Sequence, residues 1–422
     1  MKKNILNTLF ISFILVGFSG YASTNQSNGT PDSVIMGQGY ANDVYYSFEN
    51  GIVSAVPRAN WDIGIHTSVW SATIITNGGA GVNLYTYPKS DTTGWTTVDT
   101  SGLATWPVMY DSEESWEDGA FTRNAAGHPD YGWGKYNPVN HDVVGDSIYI
   151  LKTIDNIYKK IWIQRKVSVL NTYYIRQANL DGSDDHVVVL DVNPYRNTNF
   201  IYYSFGGDNF VEREPDTASW DILFTKYQGL QPNSSMYGVV GVMNNFNVYS
   251  NEFNAIAPDF TDYASEPFDS AKTAIGWEWK TFDMGTMGWS VADSTAFFVY
   301  TRKGDVYKLV FTFFEGTSTG RIYFTTEPMS SGINDPDISP AELLAYPNPA
   351  TERVSVDFGR LITGNISVAV LDLTGRQVYN RTFSGTDRTI SVDITETGLQ
   401  KGLHLMKITT GEGTFTSKFM VY

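Results

Sequence analysis

Apolar and polar residues alternate in short runs along most of this chain, and helical spacing is almost absent. The period of two is clearest in Ser147-Ile148-Tyr149-Ile150-Leu151-Lys152 and Ile157-Tyr158-Lys159-Lys160-Ile161-Trp162-Ile163. A turn at Asp155-Asn156 separates them, so this stretch predicts a β-hairpin. Val44 to Phe48, Trp61 to Ile65 and Asn171 to Gln177 read as further strands. Ala72-Thr73-Ile74-Ile75 is another, and the Asn-Gly pair in Thr76-Asn77-Gly78-Gly79 predicts a tight hairpin turn after it. Residues 88–145 are rich in Gly, Pro, Trp and Asp and show no clear period, with room for one short helix over 113–126.

Two phrases return. Tyr45-Tyr46-Ser47-Phe48 reappears as Tyr202-Tyr203-Ser204-Phe205, and Asn60-Trp61-Asp62-Ile63 as Ser219-Trp220-Asp221-Ile222. The first pair is 157 positions apart (202 minus 45) and the second 159 (220 minus 61), a paired match that points to an internal duplication. The late hairpin also returns, as Ala296 to Tyr300 and Val306 to Phe311, which aligns Tyr158-Lys159 with Tyr307-Lys308. Copy one then spans 39–193 and copy two 199–329.

The flanks differ in character. Lys2 and Lys3 precede an apolar run from Ile5 to Phe18 and the small residues Gly20-Tyr21-Ala22, so 1–23 reads as a secretory signal. Residues 24–38 are small and polar and are expected to be a flexible N-terminus. Residues 330–342 are a Gly-, Pro- and Asp-containing linker. Beyond it, 343–422 alternates again, with turns at Thr374-Gly375-Arg376 and Gly411-Glu412-Gly413. About seven short strands in that block predict an immunoglobulin-like sandwich. The fold class is therefore all-β.

Composition narrows the function. The 422 residues are too many for one core and predict two or three domains. Aromatic residues reach 14%, which suits pleated sheets. The net charge of −16 repels phosphate backbones and argues against a nucleic-acid partner. With no cysteine there is no disulfide, thiolate metal site or lipidated Cys.

Two resemblances follow from these motifs. Tyr346-Pro347-Asn348-Pro349, Leu371-Asp372-Leu373-Thr374-Gly375-Arg376, Gly398-Leu399 with Lys401-Gly402, and Lys418 to Tyr422 make 343–422 resemble the type A sorting domain of the type IX secretion system. His404 departs from the family's aromatic and reads as a packing substitution. The resemblance implies partnership with the type IX machinery, export across the outer membrane and a surface or secreted location. The duplicated region resembles the HmuY family of haem-binding surface proteins, through Asn60 to His66 with Thr76 to Gly79, through Trp220 to Phe224, and through the Tyr-Lys hairpins. That implies two tandem HmuY-like β domains, haem or a related tetrapyrrole as ligand, a role in iron acquisition and hand-over to an outer-membrane receptor. The chain departs from the family's frequent lipoprotein form.

Haem needs His nitrogen or Met sulfur donors beside an apolar cleft. Between the Trp-Asp-Ile segment and the last hairpin, copy one has Met109, His128 and His141, while copy two has no His and only Met236, Met243, Met284 and Met287. His128 and His141 are the leading candidates because Trp106, Trp116, Tyr131, Trp133 and Tyr136 share their loop, and Met109 is third. His66 has Thr225 as its counterpart and reads as structural, and His186, beside Asp184-Asp185, as surface. Asp62 and Asp221 tempt a two-carboxylate glycosidase reading, but each holds the same place in its own copy, so both are expected to accept backbone N–H groups. Asp181-Gly182-Ser183-Asp184-Asp185 lacks the spacing of a calcium loop. The chain carries no nucleophile elbow, zinc-protease, phosphate-loop or dinucleotide motif, which points to a binding protein rather than an enzyme. The competing expectation is a carbohydrate-binding or adhesive surface protein that stacks sugars on the Trp- and Tyr-rich loops.

Overall fold

The computed structural model describes residues 29–231, 233–292, 294–329, 345–346, 350, 353–372, 375–411 and 413–421. The expected signal at 1–23 and linker at 330–342 lie outside the described residues. In chain order the strands are β1 (Thr30–Ile35), β2 (Asn42–Ser47), β3 (Gly51–Pro57), β4 (Ile63–His66), β5 (Ile74–Thr76) and β6 (Asn83–Thr86). Then come β7 (Gly134–Tyr136), β8 (Val143–Gly145), β9 (Tyr149–Lys152), β10 (Tyr158–Val167), β11 (Thr172–Asn179) and β12 (His186–Asp191). The second half runs β13 (Phe200–Ser204), β14 (Asn209–Val211), β15 (Ile222–Leu230), β16 (Met236–Asn244) and β17 (Tyr249–Phe253). It closes with β18 (Lys280–Asp283), β19 (Gly288–Val291), β20 (Ala296–Tyr300), β21 (Val306–Phe314) and β22 (Arg321–Met329). The all-β expectation is met. The short helix expected in 113–126 is absent, and turns occupy that stretch.

The sheets cut across the two sequence copies. One sheet runs β16-β15-β2-β3, so the Tyr-Tyr strand of the first copy pairs with the Trp-Asp-Ile strand of the second. Another runs β14-β13-β4-β5, the reciprocal pairing. Facing them are β1-β22-β21-β20-β17 and a seven-stranded sheet built on β12-β11-β10 with β9 and β6. Residues 60–211 thus make one unit, and 30–57 with 220–329 make the other. The boundaries 39–193 and 199–329 mark the repeat in sequence, but each copy lends its first strand to its neighbour's unit. A linear repeat carries no mark of which sheet each strand will join, because strand pairing depends on partners far apart in the chain.

The described part of the segment expected to be flexible, from residue 29 on, is also structured. Thr30–Ile35 pairs antiparallel with Arg321–Thr326 as an edge strand. Edge strands are held by backbone hydrogen bonds and need little apolar sequence. Here Val34 and Met36 alone are buried, and the Tyr46 hydroxyl donates to Asp32 at 2.7 Å.

Period-two alternation fixes which side chain faces which layer. In β2, Tyr46 joins the core of the second unit with Val44, Phe224 and Phe324, while Tyr45 faces outward and packs on Trp220. In β13, Tyr203 joins the core of the first unit with Ile63, Ile161 and Ile175, while Tyr202 packs on Trp61. The Tyr45–Trp220 and Tyr202–Trp61 rings stand edge to face at 5.0 and 4.7 Å. Trp116 packs with these outer faces and donates its indole N–H to Asn244 O, tying the first unit to the second.

The recurring aspartates close both units. The Asp62 carboxylate accepts from Phe205 N at 2.7 Å and Ile154 N at 2.8 Å, and Asp221 accepts from Phe48 N at 2.9 Å. Each Asp backbone N–H also donates into the Tyr-Tyr strand, to Tyr203 O and Tyr46 O. Asn77 and Asn245 complete the pattern, donating to Trp61 O and Trp220 O. The Asn-Gly signal at 77–78 does not make the expected hairpin: β5 pairs with β4, whereas β6 pairs with β9. Gly79 instead lets the turn lie against β15, since a Cβ there would sit 1.7 Å from Lys226 O.

The late hairpins form as expected, with a shift in alignment. The turns superpose Thr153 on Thr301 through the same backbone bonds, an offset of 148 (301 minus 153). That offset puts Lys160, not Lys159, opposite Lys308 (308 minus 160). Function agrees: the Lys160 ammonium donates to Trp95 O, and the Lys308 ammonium to Pro258 O and Phe260 O. Each lysine ties the long loop of its unit to the hairpin.

In the C-terminal block the strands are β23 (Ala345–Tyr346), β24 (Arg353–Leu371), β25 (Gln377–Asp393), β26 (Gly402–Thr410) and β27 (Gly413–Val421). Among the described residues the expected seven or so short strands run together into five, because β24 and β25 continue as one long irregular hairpin. They enclose a core of Val354, Val356, Val368, Ile408 and Phe419. His404 is buried with its ring beside Phe419, as expected of a packing substitution. Gly375 takes a positive φ of 80° and Arg376 bonds Asp372, which accounts for the Asp-x-x-Gly-Arg spacing.

Candidate functional site

His128 and His141 lie in the loop of the first unit, on either side of β7 in sequence, and both are exposed. The structure brings them to one tyrosine. The His128 and Tyr136 rings are 5.0 Å apart, those of Tyr136 and His141 5.9 Å, and the Tyr136 hydroxyl is hydrogen-bonded to His141 Nδ1. Tyr131 packs edge-on to His128 at 6.4 Å. Partial burial raises the pKa of Tyr136. Val139 and Val144, exposed nearby in sequence, add apolar surface.

The third candidate stands apart from this trio. Met109 is half-buried against the core of the first unit, and its sulfur lies 3.6 Å from Asn124 Nδ2. The loop tryptophans do not surround the histidines. Trp133 is fully buried and donates to Ala72 O, Trp106 packs on Tyr87, and Trp116 lies between the units. Among the described residues no group of three or more His, Asp or Glu is placed to hold a metal ion.

The remaining histidines are structural. His66 is buried, accepts from Ser68 N through Nδ1 and meets Glu117 through Nε2 at 3.2 Å. His186 reaches Asp208 at 3.2 Å. Partial burial lowers its pKa, but Asp208 and Asp184 outweigh that and raise it. Asp62 and Asp221 spend their carboxylates on backbone N–H groups; burial raises both pKa values, against those bonds.

A second site escaped the sequence reading. Between the outer faces of the two units lies a cavity of about 80 Å³, walled by Trp61, Ile75, Trp116, Tyr202, Leu223 and Met243. Buried charge gathers around it. Arg213 and Asp43 form an ion pair at 2.6 Å with both side chains almost wholly buried. The Lys272 ammonium stands 4.6 Å over the Trp116 ring. Asp111, whose carboxyl is pushed up to about 6 by burial, accepts from Thr76 N and Ala120 N. Arg213, Asp111 and Lys272 lie in irregular segments that carried no periodic signal; only Trp61 and Tyr202, through their recurrence, marked this surface.

The fold defines an all-β protein, with an exposed His–Tyr cluster on its first unit and a charged cavity between its two units. Residues 344–422 match the secretion system C-terminal sorting domain family. That block is a type IX sorting domain, so the chain is exported to the cell surface or secreted, and the secretion machinery is a partner. No curated protein matches the chain.

Proposed function

We propose that this exported protein is a non-enzymatic binder that captures haem or a related tetrapyrrole for iron acquisition, on the exposed face of the first unit. The observation that carries the reading is the convergence of His128 and His141 on Tyr136. Imidazole nitrogen is a strong axial donor for haem iron, and tyrosine oxygen is a further one. His128 and His141 are the axial candidates, with Tyr136 between them and Met109 outside the group. The cavity between the units is too small for a macrocycle, so the ligand would lie on the loop surface and pass readily to an outer-membrane receptor. Support also comes from the resemblance of the Trp-Asp-Ile and Asn-Gly-Gly segments to haem-binding surface proteins.

Haemin titration of the purified protein tests this. The expected result is a Soret shift that His128→Ala and His141→Ala each weaken about tenfold or more. Absence of any shift in both oxidation states ends the proposal. A positive glycan array without a Soret shift would favour the carbohydrate-binding alternative.

A further inference from the structure

The β18–β19 hairpin of the second unit carries two methionine side chains into solvent. Its strands pair Phe282 with Trp289 and Asp283 with Gly288, so Met284-Gly285-Thr286-Met287 is the turn that joins them. Met284 is 75% exposed and Met287 69%. The turn is built on the residue before it: the Asp283 carboxylate accepts from Gly285 N at 2.7 Å and from the Thr286 hydroxyl at 2.9 Å. Met287 holds a φ of 53°, in the left-handed region that Gly, Asn and Asp favour. Neither burial nor backbone preference accounts for methionine at these two positions.

The other described methionines are shielded. Met36, Met243 and Met406 are buried, and Met109, Met236 and Met329 are half-buried. Met420, in the sorting domain, is 38% exposed. The chain has no cysteine, so no thiolate competes for an oxidant and methionine is its only sulfur. Oxidation turns an apolar thioether into a polar sulfoxide, which disrupts a core but is solvated on an exposed turn. The chain is exported, and outside the cell the surroundings are oxidising.

We propose that the Met284–Met287 turn is the oxidant-reactive modification site of this protein, where peroxide is reduced to water and each thioether becomes a sulfoxide. In each event the sulfur lone pair attacks one peroxide oxygen. An S–O bond forms as the O–O bond breaks, and methionine loses two electrons. The leaving hydroxide takes the proton of the transferred oxygen and departs as water. The turn is held by Asp283 and the hairpin backbone, so it keeps its shape when the sulfurs are oxidised. The buried methionines stay reduced, and the cores with them. This inference is independent of the haem proposal and uses none of its residues.

The test is treatment of the purified full chain with hydrogen peroxide at neutral pH, with peptide mass spectrometry at successive times. Met284 and Met287 are expected to gain one oxygen each about tenfold faster than Met36, Met243 and Met406, and ahead of Met420. In denaturant all of these should react at similar rates, because exposure alone sets the order. Chain oxidised only at the turn should melt like the parent. The double variant Met284→Leu with Met287→Leu keeps the apolar volume without the sulfur, and should lose the fast phase of peroxide consumption. Oxidation of the buried methionines at the same rate in the folded chain, first oxidation at Met109 or Met420, or an undiminished fast phase in the double variant overturns the proposal. A marked fall in melting temperature on oxidation of the turn alone overturns it as well.

Discussion

The two units share one frame and differ in what they hang on it. Each has a five-strand run facing a smaller sheet, a Trp–Tyr edge contact on its outer face, and an Asp that clamps a Tyr-Tyr strand. The first unit is continuous over 60–211, whereas the second is assembled from 220–329 and the N-terminal 30–57. Their long loops diverge: the first carries His128, Tyr136 and His141, while the second places Met284 and Met287 on the exposed β18–β19 hairpin. Recurrence therefore marks what holds the fold, and divergence marks loops that the fold leaves free to vary.

The largest effect should come from cutting the comparison at its asymmetry. Starting the chain at Arg58 removes β1 to β3, and with them Val34, Val44, Tyr46 and Phe48 from the second core. Hydrogen exchange should then show loss of protection in β20 to β22 and retention in β9 to β11. Persistent protection in β20 to β22 would break the strand-exchange description.

Next is the ion pair between the units. Asp43→Ala strands the Arg213 guanidinium among Trp61 and Tyr202 and should cost about 3–5 kcal/mol in denaturant unfolding. The clamps come after it and should be unequal. Asp62→Ala releases two peptide N–H groups and should cost about 2–5 kcal/mol. Asp221→Ala, which releases Phe48 N, should cost about 1–3 kcal/mol. Equal losses would mean that the clamps do not set the balance between the units.

The last effect is a pH dependence. Glu214, between the units in sequence, accepts from Asn199 N, Phe200 N and the Tyr202 hydroxyl. Burial outweighs those bonds and raises its carboxyl from 4.5 to about 7. A raised folded pKa means that the folded chain takes up the proton first, so stability grows as pH falls through about 7 and levels off below 4.5. Relative to Glu214→Gln, the parent should gain roughly 2–3 kcal/mol between pH 8 and pH 5. Parallel melting-temperature profiles for the two proteins would remove this contribution.

Local signals were legible where short-range chemistry decides. The β9–β10 and β20–β21 hairpins follow from alternation bounded by turn residues, and the structural role of Asp62 and Asp221 from their recurrence. The Asn77-Gly78 hairpin failed for a tertiary reason: Gly79 is there for its close approach to Lys226 O, which a turn propensity does not register. The edge strand β1 was hidden because its polar sequence needs only a neighbour's backbone. The loop tryptophans illustrate the same limit. Trp133 enters the core while Tyr136 stays outside, and a stretch without a period does not say which.

The sequence by itself determined that this is an exported, all-β chain with an internal duplication and a C-terminal sorting domain. Those properties rest on local alternation, motif and spacing, which survive in any arrangement of the strands. Only the tertiary structure decided that the copies exchange their Tyr-Tyr strands, that His128 and His141 meet at Tyr136, and that buried charges gather around a cavity between the units. Strand partners and buried charges are chosen by packing between residues more than a hundred positions apart, as Phe205 on Asp62 and Arg213 on Asp43 are. No local pattern encodes that choice.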